Sequence, residues 1–419
     1  MSASLAAPDL VSYRRDRVIL TFARGLRGFG AGALSIVIAV DLAGAGYSPL
    51  IIGVLLGLAL AGGSLWSILL PRLERWWTRR AIFWVEAGMM IVGGIVLWLA
   101  LSDSILLVAV LLLGGIVAGG SDVSPLGSLE QAVLADATTS RNRTSAFAYY
   151  NLAGYVGAAL GALVVGSVFT ATTGLSAANG GSGAVFLFYA LLGASLIPVY
   201  GALSRGVDVR PGAEPRPALS PSSRQKVLHL AGLFSVDAFG GGLVVNSMVV
   251  YYLDLRFAPP LSLLGILFFA ASLAAAASFL LAVPIARRFG LIPTMVFTHL
   301  PSSVLLVAFA FAPAFAIASI LWVARATLSQ MDVPTRQAYT QAIVAPEDRT
   351  AAAGITTAAR STQAFGAPIT GAFLAAGGPW IAGPFVLAGS IKIAYDLALF
   401  GRFRRVVPPR DDSRPALDT

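Results

Sequence analysis

The 419 residues contain no cysteine. That alone excludes disulfides, thiolate metal sites and cysteine nucleophiles. Histidine occurs twice, at His229 and His299, too rarely for a histidine-built metal site. Charge is scarce as well. Asp, Glu, Lys and Arg make up 12% of the chain, against about 25% in an ordinary soluble protein. Lysine is nearly missing: 2 of the 29 basic residues are Lys and the rest are Arg. There is no P-loop, no HExxH and no serine–histidine arrangement, so neither ATP-driven work nor intramembrane hydrolysis has its residues here. The chain reads as a non-enzyme without a cofactor. What is abundant is apolar. Hydrophobic residues make up 57% of the chain and the mean hydropathy is +0.80. Glycine, at 44 residues, suits helices whose backbones approach closely in lipid.

A membrane-crossing helix needs about 20 mostly apolar residues. Windows of that length give twelve spans: 18–42, 48–70, 80–101, 104–134, 145–170, 183–204, 227–253, 260–284, 291–312, 315–343, 350–376 and 380–401. The fourth and tenth are long enough to tilt or to project beyond the bilayer. Residues 205–226, rich in Pro and charge, read as a linker between an 18–204 unit and a 227–401 unit. Residues 1–17 and 402–419 flank them. The polar first sixteen residues do not resemble a cleavable signal peptide.

Arginine sets the orientation. It crowds the N-terminus, the 71–80 connection, Arg141 and Arg143, the linker, Arg287 and Arg288, Arg349 and the tail. The opposite connections hold Arg256 alone. Both termini are therefore expected on the cytoplasmic side of the inner membrane. The net charge of +9 is a topology signal facing anionic lipid, and no nucleic-acid partner is implied.

The halves repeat at a shift of about 210 residues. RGFGAGALSIVIAV from Arg27 matches DAFGGGLVVNSMVV from Asp237. SDVSPLGSLEQAVL matches MDVPTRQAYTQAIV, which sets Asp122 on Asp332. Arg143-Thr144 and Arg349-Thr350 follow, at a shift of 206. Six spans per half give both halves the same orientation. Parallel six-helix repeats enclosing a midplane site are one architecture of secondary transporters.

Charge inside a membrane is costly and faces a cavity or a partner. Arg24 and Arg27 share a face of the first span, and Asp122 and Glu130 share one on the fourth. The tenth carries Arg325, Asp332 and Arg336 in one stripe. The eleventh carries Thr356, Arg360 and Gln363. Asp237 lies about eleven residues into the seventh, with Met248 and Tyr251 on its side and Asn246 roughly opposite. Arg27 and Asp237 are expected to face each other across the pseudo-twofold axis, and Asp122 and Asp332 to form a second symmetric pair. Asp237 and Asp332 are the candidate proton carriers, since a carboxylate in a poorly hydrated cavity can be loaded and unloaded. Arg27, Arg325 and Arg360 stay charged, so they would hold carboxylates or an anionic solute group, with Gln363 beside them. Arg24, Asp122, Glu130 and Arg336, nearer the cytoplasmic ends, read as structural or gating charges. Lys392 and Asp396, four apart, are expected to pair with each other. Glu86 is expected to serve a nearby loop arginine. His299 reads as a packing residue, and so does Trp322.

The chain resembles the major facilitator superfamily over residues 14–405. LLPRLERWWTRRAIF is similar to that family's loop motif, with Arg79 and Arg80 at its basic end, Arg75 in its acidic place and Thr78 in place of glycine. VPIARRFGLIP repeats it with Arg287, Arg288 and Gly290. GYVGAALGALVVG has the glycine spacing of the antiporter motif, without its proline. The resemblance implies an all-α fold of twelve transmembrane helices in two pseudo-symmetric six-helix bundles. It places spans 1, 4, 7 and 10 around a central cavity. It assigns the four loop arginines to gating or structure and suggests proton-coupled efflux of a small organic solute by a monomer. Exchange or import of an anionic metabolite is the alternative. A channel or lipid flippase is the reading from another class.

Overall fold

The computed structural model describes residues 10–114, 116, 127–138, 143–169, 182–208, 219–344 and 348–405. Every regular element among them is helical. The first half comprises α1 (Leu10–Gly44), α2 (Pro49–Leu73), α3 (Arg79–Leu99), α4 (Ser104–Leu112), α5 (Gly127–Asp136), α6 (Arg143–Leu163) and α7 (Gly183–Gly201). A π-helical turn, Val164–Phe169, extends α6. The second half comprises α8 (Pro221–Gly242), α9 (Asn246–Phe257), α10 (Leu261–Phe289), α11 (Leu291–Ala310), α12 (Phe315–Ser329), α13 (Asp332–Ala342), α14 (Arg349–Ala359), α15 (Gly366–Ala376) and α16 (Gly383–Phe403). Among the described residues, nine helical stretches are long and apolar enough to cross a membrane. Leu, Val, Ile and Phe side chains stand exposed along them, as at Val18, Phe22, Leu191, Ile266 and Phe297. In a bilayer those faces meet acyl chains rather than water.

The halves are built alike. α1 packs on α6 and α3 on α7; in the second half α8 packs on α14 and the turn after it, and α11 on α16. Polar side chains secure a pair of helix ends in each half. The Asp16 carboxylate accepts from the Ser204 N–H at 2.8 Å, and Asp348 accepts from the Ser220 N–H at 3.1 Å. Each serine hydroxyl donates to the second oxygen of the same carboxylate.

The halves meet most closely on the side away from the described chain ends, where α2 begins and α15 ends. Their small residues permit it. A Cβ on Gly53 would stand 2.4 Å from the Ala367 carbonyl oxygen. One on Gly371 would stand 2.5 Å from that of Pro49. The turn after α6 meets α10 on the same side.

Several spans are broken where continuous helices are expected. The seventh ends as α8 at Gly242 and restarts as α9 at Asn246, after Leu243–Val245. Three successive glycines weaken the helix there. A Cβ on Gly242 would lie 1.9 Å from the Gln363 carbonyl oxygen. The tenth breaks between Ser329 and Asp332 instead of running long, and Pro334 falls in the first turn of α13, where a missing N–H is tolerated. The eleventh tightens to a 3₁₀ turn over Arg360–Phe365.

Candidate functional site

Two buried charge clusters occupy corresponding places in the halves. In the first, Arg27 on α1 is the hub. Its guanidinium pairs with both oxygens of Glu130 on α5, donates to Tyr200 on α7, and reaches Glu86 on α3 at 3.1 Å. The Tyr150 hydroxyl, from α6, donates to Glu130, and Arg24 stacks over the Tyr150 ring at 5.3 Å. Glu130 is 0% exposed, and Arg24 and Arg27 are 4% exposed.

In the second, Asp237 on α8 is the hub. Lys392 on α16 donates to it at 2.6 Å and Arg336 on α13 at 3.2 Å. Arg360 lies at 3.7 Å, and the His299 Nε2, from α11, at 3.8 Å. Behind them His299 Nδ1 lies 3.0 Å from each oxygen of Asp396. Arg336 also donates to Asp332, one turn earlier, at 2.9 Å.

The clusters are drawn from equivalent spans with the charges exchanged. Arg27 and Asp237 correspond at the shift of 210. Glu130 and Arg336 lie on the corresponding fourth and tenth spans. The expected pairing of Arg27 with Asp237 across the axis is therefore corrected. Each is the hub of its own half and is compensated there, because leaving the acidic partners of Arg27 buried and unpaired would cost several kcal/mol. The expected Lys392–Asp396 pair is corrected for the same reason, since Lys392 turns to Asp237 and Asp396 to His299. Glu86 serves the Arg27 hub rather than a loop. Asp122 lies outside the described residues, and so does its pairing with Asp332.

Among the described residues, it is the second cluster that opens onto space. Asp237, Arg336, Arg360, Lys392 and His299 line a central cavity of ≈ 200 Å³ together with Arg325, Asp332, Gln363, Asn246, Gln330, Tyr155 and Trp322. None of the first cluster's side chains lines it. The six expected solute or proton residues thus divide: Asp237, Arg325, Asp332, Arg360 and Gln363 share the cavity, and Arg27 does not. Met248 and Tyr251 are buried in the apolar core, while Asn246 reaches the cavity. The break at Leu243–Val245 resets the helical phase on which the opposite expectation rested. Of the expected structural charges, Arg336 lines the cavity, whereas Arg24 and Glu130 are sealed in the first half. Arg79 pairs with Glu74 at 3.0 Å, and Arg80 with Asp208 at 3.4 Å. Arg287 and Arg288 are exposed at the end of α10. Trp322 packs on Phe268 and Phe309, as expected, and also carries Arg325 over its ring at 4.8 Å.

An all-helical membrane fold, with two like halves and a polar cavity beside broken spans, defines the class of multi-pass solute transporters. The model of the Major Facilitator Superfamily matches residues 20–329. The chain belongs to that family. It is 28% identical over 340 residues to the uncharacterized membrane protein YJR124C of Saccharomyces cerevisiae, a match that covers 73% of this chain and 75% of the yeast protein. Among solved structures it is similar to the inward-open xylose transporter XylE from E. coli, at 13% identity and a TM-score of 0.69 over 95% of this chain and 97% of that one. It is also similar to the nucleoside transporter NupG, at 14% identity and 0.67 over 94% and 99%. At those identities the likeness is one of fold.

Proposed function

We propose that this chain is a proton-coupled secondary transporter that moves a small organic solute across the inner membrane by alternating access, in the direction of export. The observation that carries this reading is the Asp237 cluster. A buried, charge-compensated carboxylate faces a cavity flanked by three broken spans. Solute that enters the cavity meets Arg336, Arg360 and Lys392, the groups that compensate Asp237. Binding and hub geometry are thereby linked, and a ligand that favours one arrangement shifts the conformational balance.

The proton path runs through His299. It sits between Asp396 and Asp237 and bridges the two carboxylates. Asp332, held by Arg336, belongs to the same network. Arginine-rich connections place the described chain ends in the cytoplasm. On that orientation the Gly53–Gly371 closure seals the outer side and the cavity belongs to an inward-facing state. The glycine spacing along α6, similar to that of antiporters, supports export. An import symport of the same solute would use the same residues.

The test is reconstitution. Purified protein in proteoliposomes is given solutes nominated by metabolite differences between deletion and wild-type cells. Uptake that is driven by an imposed pH gradient and accelerated by unlabelled solute on the far side supports the proposal. Flux indifferent to both would mark a channel and contradict it.

A further inference from the structure

We infer that the solute carries a negative group, a carboxylate or a phosphate ester, and that Arg325 is the residue that takes it. The inference rests on the transporter reading of this cavity and adds the chemical class of its solute.

Two observations point to it. The first is charge. The lining holds four bases, Arg325, Arg336, Arg360 and Lys392, against two acids, Asp237 and Asp332. These six groups leave positive charge in excess by two. A poorly hydrated cavity favours a ligand that offsets such an excess. The second is the state of Arg325. Lys392 and Arg336 are spoken for by Asp237 and Asp332. Among the described residues Arg325 makes no hydrogen bond or ion pair, and its Nε is buried without a partner. What it does have is the Trp322 ring beneath its guanidinium. Stacking on an aromatic face fixes the plane of the fork and leaves its edge for a planar or tetrahedral oxyanion. Gln363, Gln330 and Asn246 supply amides, and Phe268 an apolar wall, for the rest of the molecule. A neutral or cationic solute would leave Arg325 buried and unpaired.

The probes are matched pairs. One arm sets 4-hydroxybenzoate, succinate and citrate against the corresponding amides. A second sets glucose 6-phosphate and glycerol 3-phosphate against glucose and glycerol. Inorganic phosphate and choline complete the panel. Thermal stabilisation of the detergent-purified full chain is measured, and the best probe is then titrated. The expected result is stabilisation by anions of one arm and none by their neutral partners; the arm that responds tells carboxylate from phosphate. Arg325→Gln should weaken the best probe by roughly 10- to 100-fold, the range for a hydrogen bond to a charged group. Arg325→Lys, which keeps the charge and loses the fork, should fall between and guards against misfolding of the first variant. Stabilisation by the amides, sugars or choline, equal binding by Arg325→Gln, or no response from any anion overturns the proposal. Its failure would leave pH-driven counterflow of a neutral or cationic solute intact. Failure of the transporter reading would instead leave anion-specific stabilisation without counterflow.

Discussion

Arg27 and Asp237 hold the same place in the two repeats and do different things with it. Arg27 is closed in by two glutamates and two tyrosines, away from the cavity. Asp237 is met by Lys392, Arg336, Arg360 and His299, and those groups face the cavity. The Arg360 side chain is 30% exposed, against 0% for Glu130. The hubs themselves are equally buried, at 4% each, so what separates the two networks is that the second lines the cavity and the first does not. The comparison teaches that repeat symmetry predicts where charge is buried, whereas access decides whether that charge can serve transport.

The comparison breaks most visibly at its sealed side. Arg27→Leu strands Glu86 and Glu130, both buried, without their counter-charge. Removing one member of a buried network costs about 3–5 kcal/mol. The variant should lose most of its folded yield or show a sharply lowered Tm by thermal scanning in detergent. A wild-type Tm would mean that this cluster is hydrated and not the lock described here.

The next effect is on the alternation itself. Gly53→Leu drives a side chain into the Ala367 backbone and should part the halves on the side away from the described chain ends. Because the chain lacks cysteine, a single Ala271→Cys in the cavity reports access cleanly. An impermeant maleimide added outside intact cells should label that cysteine several-fold faster with Gly53→Leu than without it. Equal labelling would mean that this contact does not hold the outer side closed.

His299→Gln sharpens the working side. It keeps a hydrogen-bonding group beside Asp396 and removes the imidazole that bridges Asp396 to Asp237. Counterflow should survive while acceleration by a pH gradient is lost. Full pH coupling in His299→Gln would take the proton path elsewhere.

The smallest effect lies at the linker end. Hydrogen bonds from Ser220 and Ser223 hold the Asp348 carboxyl below its usual range. A carboxyl lowered in the folded state stabilises above its unfolded value of about 3.9 and loses that contribution as pH falls through the lowered value. Asp348→Asn should therefore shift Tm slightly at pH 7, with the gap to wild type closing as the medium is acidified towards that folded value. A gap that does not depend on pH would mean that the charge plays no part.

Much of this was legible in the residues. Apolar windows pointed to the all-helical membrane fold, and the Phe29/Phe239 match to the like build of the halves. The stripe of Arg325, Asp332 and Arg336 and that of Arg360 and Gln363 do converge on one cavity. The partners within each stripe were not legible. Helical spacing says which residues share a face of one helix and nothing about which helix stands opposite. Lys392 was therefore read with its neighbour Asp396 when its partner, Asp237, lies 155 residues away. His299 was read as packing because its span is peripheral, yet the histidine faces inward to meet two carboxylates. Its one sequence signal was rarity, as one of two histidines. Asn246 was placed opposite Asp237 by a phase count that cannot cross a break. The run of Gly240, Gly241 and Gly242 before it was the available warning.

The most direct measurement is solute counterflow in proteoliposomes that carry Asp237→Asn at matched amounts of folded protein. The account predicts counterflow reduced at least ten-fold per folded molecule. Counterflow at the wild-type rate would contradict it.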